Sequence, residues 1–183
     1  TSMTDQPTSL PPQPARNRRI IFQMVFGAVI AAFYIVLTLA VAPLAYGPVQ
    51  FRLSEILTIM PALTPAAIPG VTIGCPLANV LNPGGTLGLV DIIGGTVATF
   101  ISAILTRVLA KRLHLDESQP LTGRRRDLLK RPSLWVLTLP PILINSLIVG
   151  TYLTILLVEQ AERSGGILLF NMLTVGLGEI VMA

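Results

Sequence analysis

Cysteine and histidine are nearly absent from this 183-residue chain, which carries one of each. A lone Cys75 rules out an intramolecular disulfide and a thiolate metal cluster, and its apolar surroundings predict a small packing residue. The single His114 stands beside Asp116 and Glu117 in a charged stretch, where a solvated side chain is expected. No Ser or Cys nucleophile can therefore be paired with a histidine base within an apolar segment, and neither a metal nor any other cofactor is expected. A Gly-x-x-x-x-Gly-Lys-Ser/Thr phosphate loop is also missing, so the chain cannot hydrolyse ATP by that machinery. No inverted repeat of the kind found in secondary transporters is visible. Together these absences argue against an enzyme.

Charge is scarce as well. Only 12% of residues are charged and 52% are apolar. The mean hydropathy of +0.73 lies outside the range of ordinary soluble domains. The pI near 9.8 does not point to nucleic acid, because the arginines flank apolar runs instead of interleaving with aromatics. They read as topology signals that keep their segments in the cytoplasm.

What is present is a series of apolar runs. Residues 1–18 are expected to form a disordered cytoplasmic tail, rich in Pro, Ser, Thr and Gln and ending in Arg16-Asn-Arg-Arg19. Residues 19–183 are expected to be a single integral domain. The first run, Ile20 to about Ala45, is too long for the apolar region of a signal peptide and predicts an uncleaved span. Leu53–Leu63 and Val71–Leu81 are each shorter than the ~20 residues of a straight span. Pro61, Pro65, Pro69 and Pro76 interrupt them. Asn82-Pro-Gly-Gly-Thr-Leu-Gly88 reads as a turn. Leu89–Leu109 is the fourth run, with Gly94, Gly95, Ala98, Ser102 and Thr106 as a close-packing stripe. Lys111–Arg131, with Arg124-Arg-Arg126, is a basic cytoplasmic loop. Ser133–Val158 is the fifth run. The sixth begins at Ile167 and is expected to be cut short at Ala183. The expected fold is an all-α membrane protein of six transmembrane helices, some short or broken. Its amino terminus is cytoplasmic and it is multi-pass in the cell membrane, surrounded by lipid bilayer.

On that topology the polar residues gather away from the basic loops. Tyr46, Gln50, Arg52 and Glu55 lie at the outer end of segments one and two, Asn79 and Asp91 at the facing ends of three and four, and Asn171 one turn into segment six. Asn145 and Glu179 lie deeper. Ionisable groups at membrane depth are costly and are candidates for a solute site. Carboxylates accept side-by-side bonds, asparagine both donates and accepts, and arginine donates a fork. That set suits a flat heterocycle with amide-like edges or a cationic amine better than a phosphate. Arg52 and Glu55 could equally neutralise each other at (i, i+3), and Asp91 could serve only as a helix cap. On the first run, Gly27/Ala31 and Ala28/Ala32 form overlapping small-xxx-small pairs. Such pairs permit close helix contact, within the chain or with a partner.

Tyr46-Gly-Pro-Val-Gln-Phe-Arg-Leu-Ser-Glu55, Thr64-Pro-Ala-Ala-Ile-Pro-Gly70, Ile73-Gly-Cys-Pro-Leu-Ala-Asn79 and Gly88-Leu-Val-Asp91 resemble the QueT family. So do Asn145-x-x-Ile-Val-Gly150 and Gly176-Leu-Gly-Glu179. These are substrate-binding S-components of energy-coupling factor (ECF) transporters. The resemblance runs from about Arg19 to Ala183. It departs from the family pattern at Pro76, in the loop extension Asn82–Thr86 and in the length of the basic loop. It implies a six-helix subunit that captures a queuosine precursor, a 7-deazaguanine base, from outside. It also implies docking on a transmembrane coupling protein that carries two ATPases. By matching position, the docking residues of the first helix fall on Ala28 and Ala32. The alternatives are an S-component for another vitamin, a small accessory membrane protein that binds no solute, and a stand-alone permease.

Overall fold

The computed structural model describes residues 13–41, 53–82, 88–113, 135–157 and 164–182. The described residues are helical almost throughout. They form α1 (Gln13–Ala40), a 3-10 helix (Leu53–Ile59) that runs into α2 (Met60–Leu63), α3 (Ala67–Leu81), α4 (Leu89–Arg112), α5 (Leu139–Leu157) and α6 (Gly165–Met182). Three of them, Arg16–Ala40 within α1, α4 and Leu139–Leu156 within α5, are long and apolar enough to cross a membrane. Leu53–Leu63, α3 and Gly165–Val181 are shorter apolar helices.

Proline sets most of the boundaries. α1 starts at Gln13, so Gln13–Arg18 are helical and not part of an unstructured tail as expected. Pro14 is tolerated in that first turn because the amide it lacks would have no intrahelical partner. Pro61 cannot donate to the carbonyl of the preceding turn, and the change from 3-10 to α geometry falls at Ile59–Met60 just before it. Thr64, which precedes Pro65, is extended (φ −146°, ψ 136°) as a pre-proline residue prefers. Pro76, expected to break its segment, is instead accommodated inside α3. Ser133, the expected start of segment five, lies outside the described residues; α5 runs from Leu139, which places Pro140 and Pro141 in its first turn. α6 begins two residues ahead of Ile167, where the Ser164 hydroxyl accepts the Ile167 amide at 3.4 Å.

Contacts between glycines and their neighbours fix how the helices run. The carbonyl of Ala66 would stand 2.9 Å from a Cβ on Gly27, the carbonyl of Gly27 would stand 2.7 Å from one on Gly70, and Tyr34 packs on Gly74. Since numbers rise together along both helices, α1 and α3 are parallel neighbours. Leu53–Leu63 returns between them, with Ser54 bonded to Thr38 and Ala66 beside Gly27. α3, α4, α5 and α6 then follow antiparallel, each against the next. The 3-10 helix touches α1, α4 and α6, so the shortest segment occupies the middle of the bundle. At its lower end Ala62 packs with Ala110 and Leu137, beside the basic end marked by Lys111 and Arg112.

The side-chain distribution is inverted relative to a soluble bundle. Phe22, Phe33, Ile93, Leu143 and Phe170 point outward and are more than half exposed. Gly95, Ala98, Ser102, Ala103 and Thr106 of α4 point inward and are buried. Small interior residues bring backbones together, and bulky apolar exteriors need lipid to cover them. The stripe expected on the fourth run is thus a packing face. The small residues of α1 divide: Gly27 and Ala31 are buried against the chain itself, whereas Ala28 and Ala32 are exposed. Gly27 and Ala31 are therefore corrected from partner-facing to internal packing residues. Fusing the four into one face overlooks that adjacent positions on a helix are about 100° apart.

Candidate functional site

Among the described residues three carboxylates are buried, Glu55, Asp91 and Glu179, and each accepts a hydrogen bond from a neutral donor on another helix. Tyr34 Oη of α1 donates to Glu55 Oε1 at 3.2 Å. Tyr152 Oη of α5 donates to Asp91 Oδ1 at 2.6 Å. Asn145 Nδ2 of α5 donates to Glu179 Oε1 of α6 at 2.9 Å. A phenol or amide donor lowers the cost of burying a carboxylate while adding no charge of its own.

Each tyrosine packs against a glycine of a neighbouring helix. A Cβ on Gly74 would meet Tyr34 at 2.8 Å, and a Cβ on Gly94 would meet the Tyr152 ring at 2.8 Å. Gly94 thus leaves a notch on α4 for the Tyr152 ring, whereas Gly74 leaves room on α3 for Cβ and Cγ of Tyr34 and for the Ala31 carbonyl. On α4 the notch seats the phenol that meets Asp91.

Other polar groups complete these centres. Thr38 Oγ1 donates to Ser54 Oγ at 2.8 Å, next to Glu55. Asn79 Nδ2 donates to the Asp91 carbonyl at 3.0 Å and lies 3.9 Å from Cys75 Sγ. Asp91 sits in the first turn of α4, where Gly88 occupies the N-cap position without a side-chain cap. Its carboxylate reaches across to α5, a bond that a purely local helix cap does not call for. Asn171 Nδ2 donates to Thr154 Oγ1 at 2.9 Å, tying α6 to α5.

The carboxylates do not all lie at one level of the bundle. Cys75 packs in the same cluster as Tyr34, and Asn79 is one turn further along α3, so Asn79 and the Asp91 it bonds lie beyond that cluster, away from the basic end. Asn145 precedes Tyr152 by seven residues on α5, which puts the Asn145–Glu179 pair about 10 Å closer to the basic end. Asn79 and Asp91 meet, and so do Asn145 and Glu179, whereas Asn171 pairs with Thr154 and with none of the carboxylates in these bonds. Tyr46, Gln50 and Arg52 lie outside the described residues.

Tyr34 and Tyr152 escape a sequence reading that searches for charged and amide side chains in apolar runs. Their signal was available: both tyrosines stand well inside such a run, whereas interfacial tyrosine normally marks its ends. Arg107 was missed too. Its Nη1 donates to the Ala62 carbonyl at 3.0 Å and to the Pro61 carbonyl at 3.5 Å, capping the last turn of α2 from α4.

Among the described residues, a helical bundle with an apolar exterior, a small-residue interior and buried carboxylates bonded to neutral donors is that of an integral membrane protein. Residues 24–183 match the family described as QueT transporter, and the chain belongs to that family. It is 34% identical over 97 residues to the queuosine precursor transporter QueT of Lactococcus lactis subsp. cremoris (strain MG1363). That match covers 52% of this chain and 55% of the relative, so the chain spans little more than half the length of the curated relative it matches. No solved structure matches the chain.

Proposed function

We propose that this chain is the substrate-binding S-component of an ECF-type importer, and that it captures a queuosine precursor of the 7-deazaguanine type from outside the cell. The observation that carries the reading is the layered set of buried carboxylates, each oriented by a neutral donor. A 7-deazaguanine offers a ring N–H and an exocyclic amine side by side, and a carboxylate accepts both. Glu55 or Glu179 suits that edge. The ring carbonyl accepts from Arg52 or from an asparagine, and an aminomethyl cation suits Asp91. Tyr46, Gln50, Asn79, Asn145 and Asn171 complete the proposed lining. Membership of the QueT transporter family and the name of the Lactococcus relative support this choice of solute.

The energy source is proposed to be external. The chain has no phosphate loop, which fits a subunit that leaves ATP hydrolysis to two partner ATPases joined through a transmembrane coupling protein. The outward position of Ala28 and Ala32 on α1 supports that face as the docking surface. The amino terminus and the basic loop are assigned to the cytoplasm on their charge.

Calorimetry on the detergent-purified protein tests the solute. Tight binding of a 7-deazaguanine, weakened in Glu55→Ala, Asn79→Ala and Glu179→Ala, is the expected result. Unchanged affinity in all three variants rejects this site. Mass spectrometry of co-purified small molecules distinguishes a 7-deazaguanine from another vitamin. Recovery of a coupling protein and ATPases on affinity purification distinguishes an S-component from a solitary permease.

A further inference from the structure

We propose that Tyr152, seated in the notch at Gly94, is a positioning residue that makes the site prefer ligands with a cationic side arm; this rests on the 7-deazaguanine reading above. Asp91 is tied at two points. Its carboxylate accepts from Tyr152 Oη at 2.6 Å, and its backbone carbonyl accepts from Asn79 Nδ2 at 3.0 Å. Three helices therefore fix one acidic group: α3 through Asn79, α4 through its own backbone and α5 through the phenol. A carboxylate on a free side chain samples several rotamers, and the one selected here is set by a short, charge-assisted bond.

The depth of Asp91 decides which part of the ligand it reads. Glu179 lies about 10 Å closer to the basic end, and Glu55 bonds Tyr34 of the cluster beyond which Asn79 and Asp91 lie. A bicyclic base whose donor edge turns inward to those carboxylates presents its five-membered ring, which bears the side arm, toward Asp91. An ammonium group on the arm is complementary to the carboxylate, whereas a nitrile offers only an acceptor to a group that is itself acceptor-only. Arm selectivity is thus assigned to the rim, and ring recognition to the deeper pair.

Gly94 makes the assignment testable without touching a polar atom. A methyl there would stand 2.8 Å from Tyr152 Cε1 and 3.0 Å from Cδ1, so the ring must move and carry its hydroxyl with it. Gly94→Ala and Tyr152→Phe attack the same bond by different routes, one by displacing the phenol and the other by deleting its oxygen.

Titration of the purified full chain with 7-aminomethyl-7-deazaguanine and with 7-cyano-7-deazaguanine tests the proposal. The unaltered protein is expected to bind the amine on the order of a hundredfold more tightly than the nitrile. Tyr152→Phe and Gly94→Ala are each expected to narrow that ratio about tenfold, with amine binding falling further than nitrile binding. Asp91→Asn is expected to abolish the preference. A fall in both affinities together, with the ratio preserved in Tyr152→Phe and Gly94→Ala, overturns the proposal and leaves these residues a structural role alone. Binding of neither base by the unaltered protein overturns the 7-deazaguanine reading itself and the proposal with it.

Discussion

Neighbouring small residues on α1 should respond in opposite ways to enlargement. Gly27 is buried with the Ala66 carbonyl 2.9 Å from where its Cβ would stand, whereas Ala28 is exposed. The neighbour at Gly27 is backbone, which cannot swing aside as a flexible side chain would. Alanine is a poor probe there, because replacing helical glycine gains about 1 kcal/mol of propensity and masks the clash. Leucine is the better choice. Overpacking of a tight interface costs about 1–3 kcal/mol. For a chain of this size each kcal/mol lowers Tm by roughly 2–4 °C, so Gly27→Leu should melt about 3–10 °C lower in detergent. Ala28→Leu should leave Tm within error, since it adds a methyl-bearing side chain to a surface that faces lipid. Thermal unfolding followed by intrinsic fluorescence reads both. Under the proposed docking arrangement, Ala28→Leu combined with Ala32→Leu should lose recovery of the coupling protein while retaining Tm and ligand binding. Equal melting losses for Gly27→Leu and Ala28→Leu would refute the division of α1 into an inward and an outward face.

Three further outcomes follow from the geometry. Arg107→Ala removes two bonds to the α2 carbonyls and should accelerate amide exchange in residues 53–63, with a stability loss of about 1.5–3 kcal/mol discounted for the half-buried position of the guanidinium; unchanged exchange there would contradict the capping role. A double-mutant cycle on Asn145→Leu and Glu179→Gln, read by thermal unfolding, should give a coupling of about 0.6–1.7 kcal/mol, and additive losses would argue that the pair contributes nothing beyond its separate parts. In a Cys75→Ala background, Ser164→Cys should react with a membrane-impermeant maleimide in intact cells, while Lys111→Cys should react only after permeabilisation; the reverse pattern would invert the proposed topology.

Much of the architecture can be read from the chain because lipid imposes simple rules. A run of apolar residues must be helical, and basic flanks mark one end of the bundle. The segment boundaries were harder. Pro140 and Pro141 fall inside the fifth run as read from the sequence, whereas in the structure they stand in the first turn of α5. Pro76 looks like a breaker, yet α3 continues through it, because packed neighbours hold a helix that lacks one amide bond. The candidate site was legible as a set of costly side chains, Glu55, Asn79, Asp91, Asn145 and Glu179. Its pairing was not. Which donor meets which carboxylate depends on helix rotation and on the glycines at positions 74 and 94, and neither leaves a periodic trace. The tyrosines were overlooked because a phenol is tolerated in an apolar run and attracts little attention there.

The central position of Leu53–Leu63 has a consequence for how the protein is made. An 11-residue apolar stretch offers an insertion machinery too little hydrophobic length to be accepted as a span by itself. Insertion together with α3, as a helical hairpin closed at Thr64-Pro65-Ala66 against α1, is the expected route. The close approaches at Gly27 and Gly70 are then expected to matter during biogenesis as well, as the cradle for that hairpin. Bulky residues there should yield misinserted chains that quality-control proteases remove, so that loss of cellular abundance exceeds what the melting point of the surviving molecules would suggest.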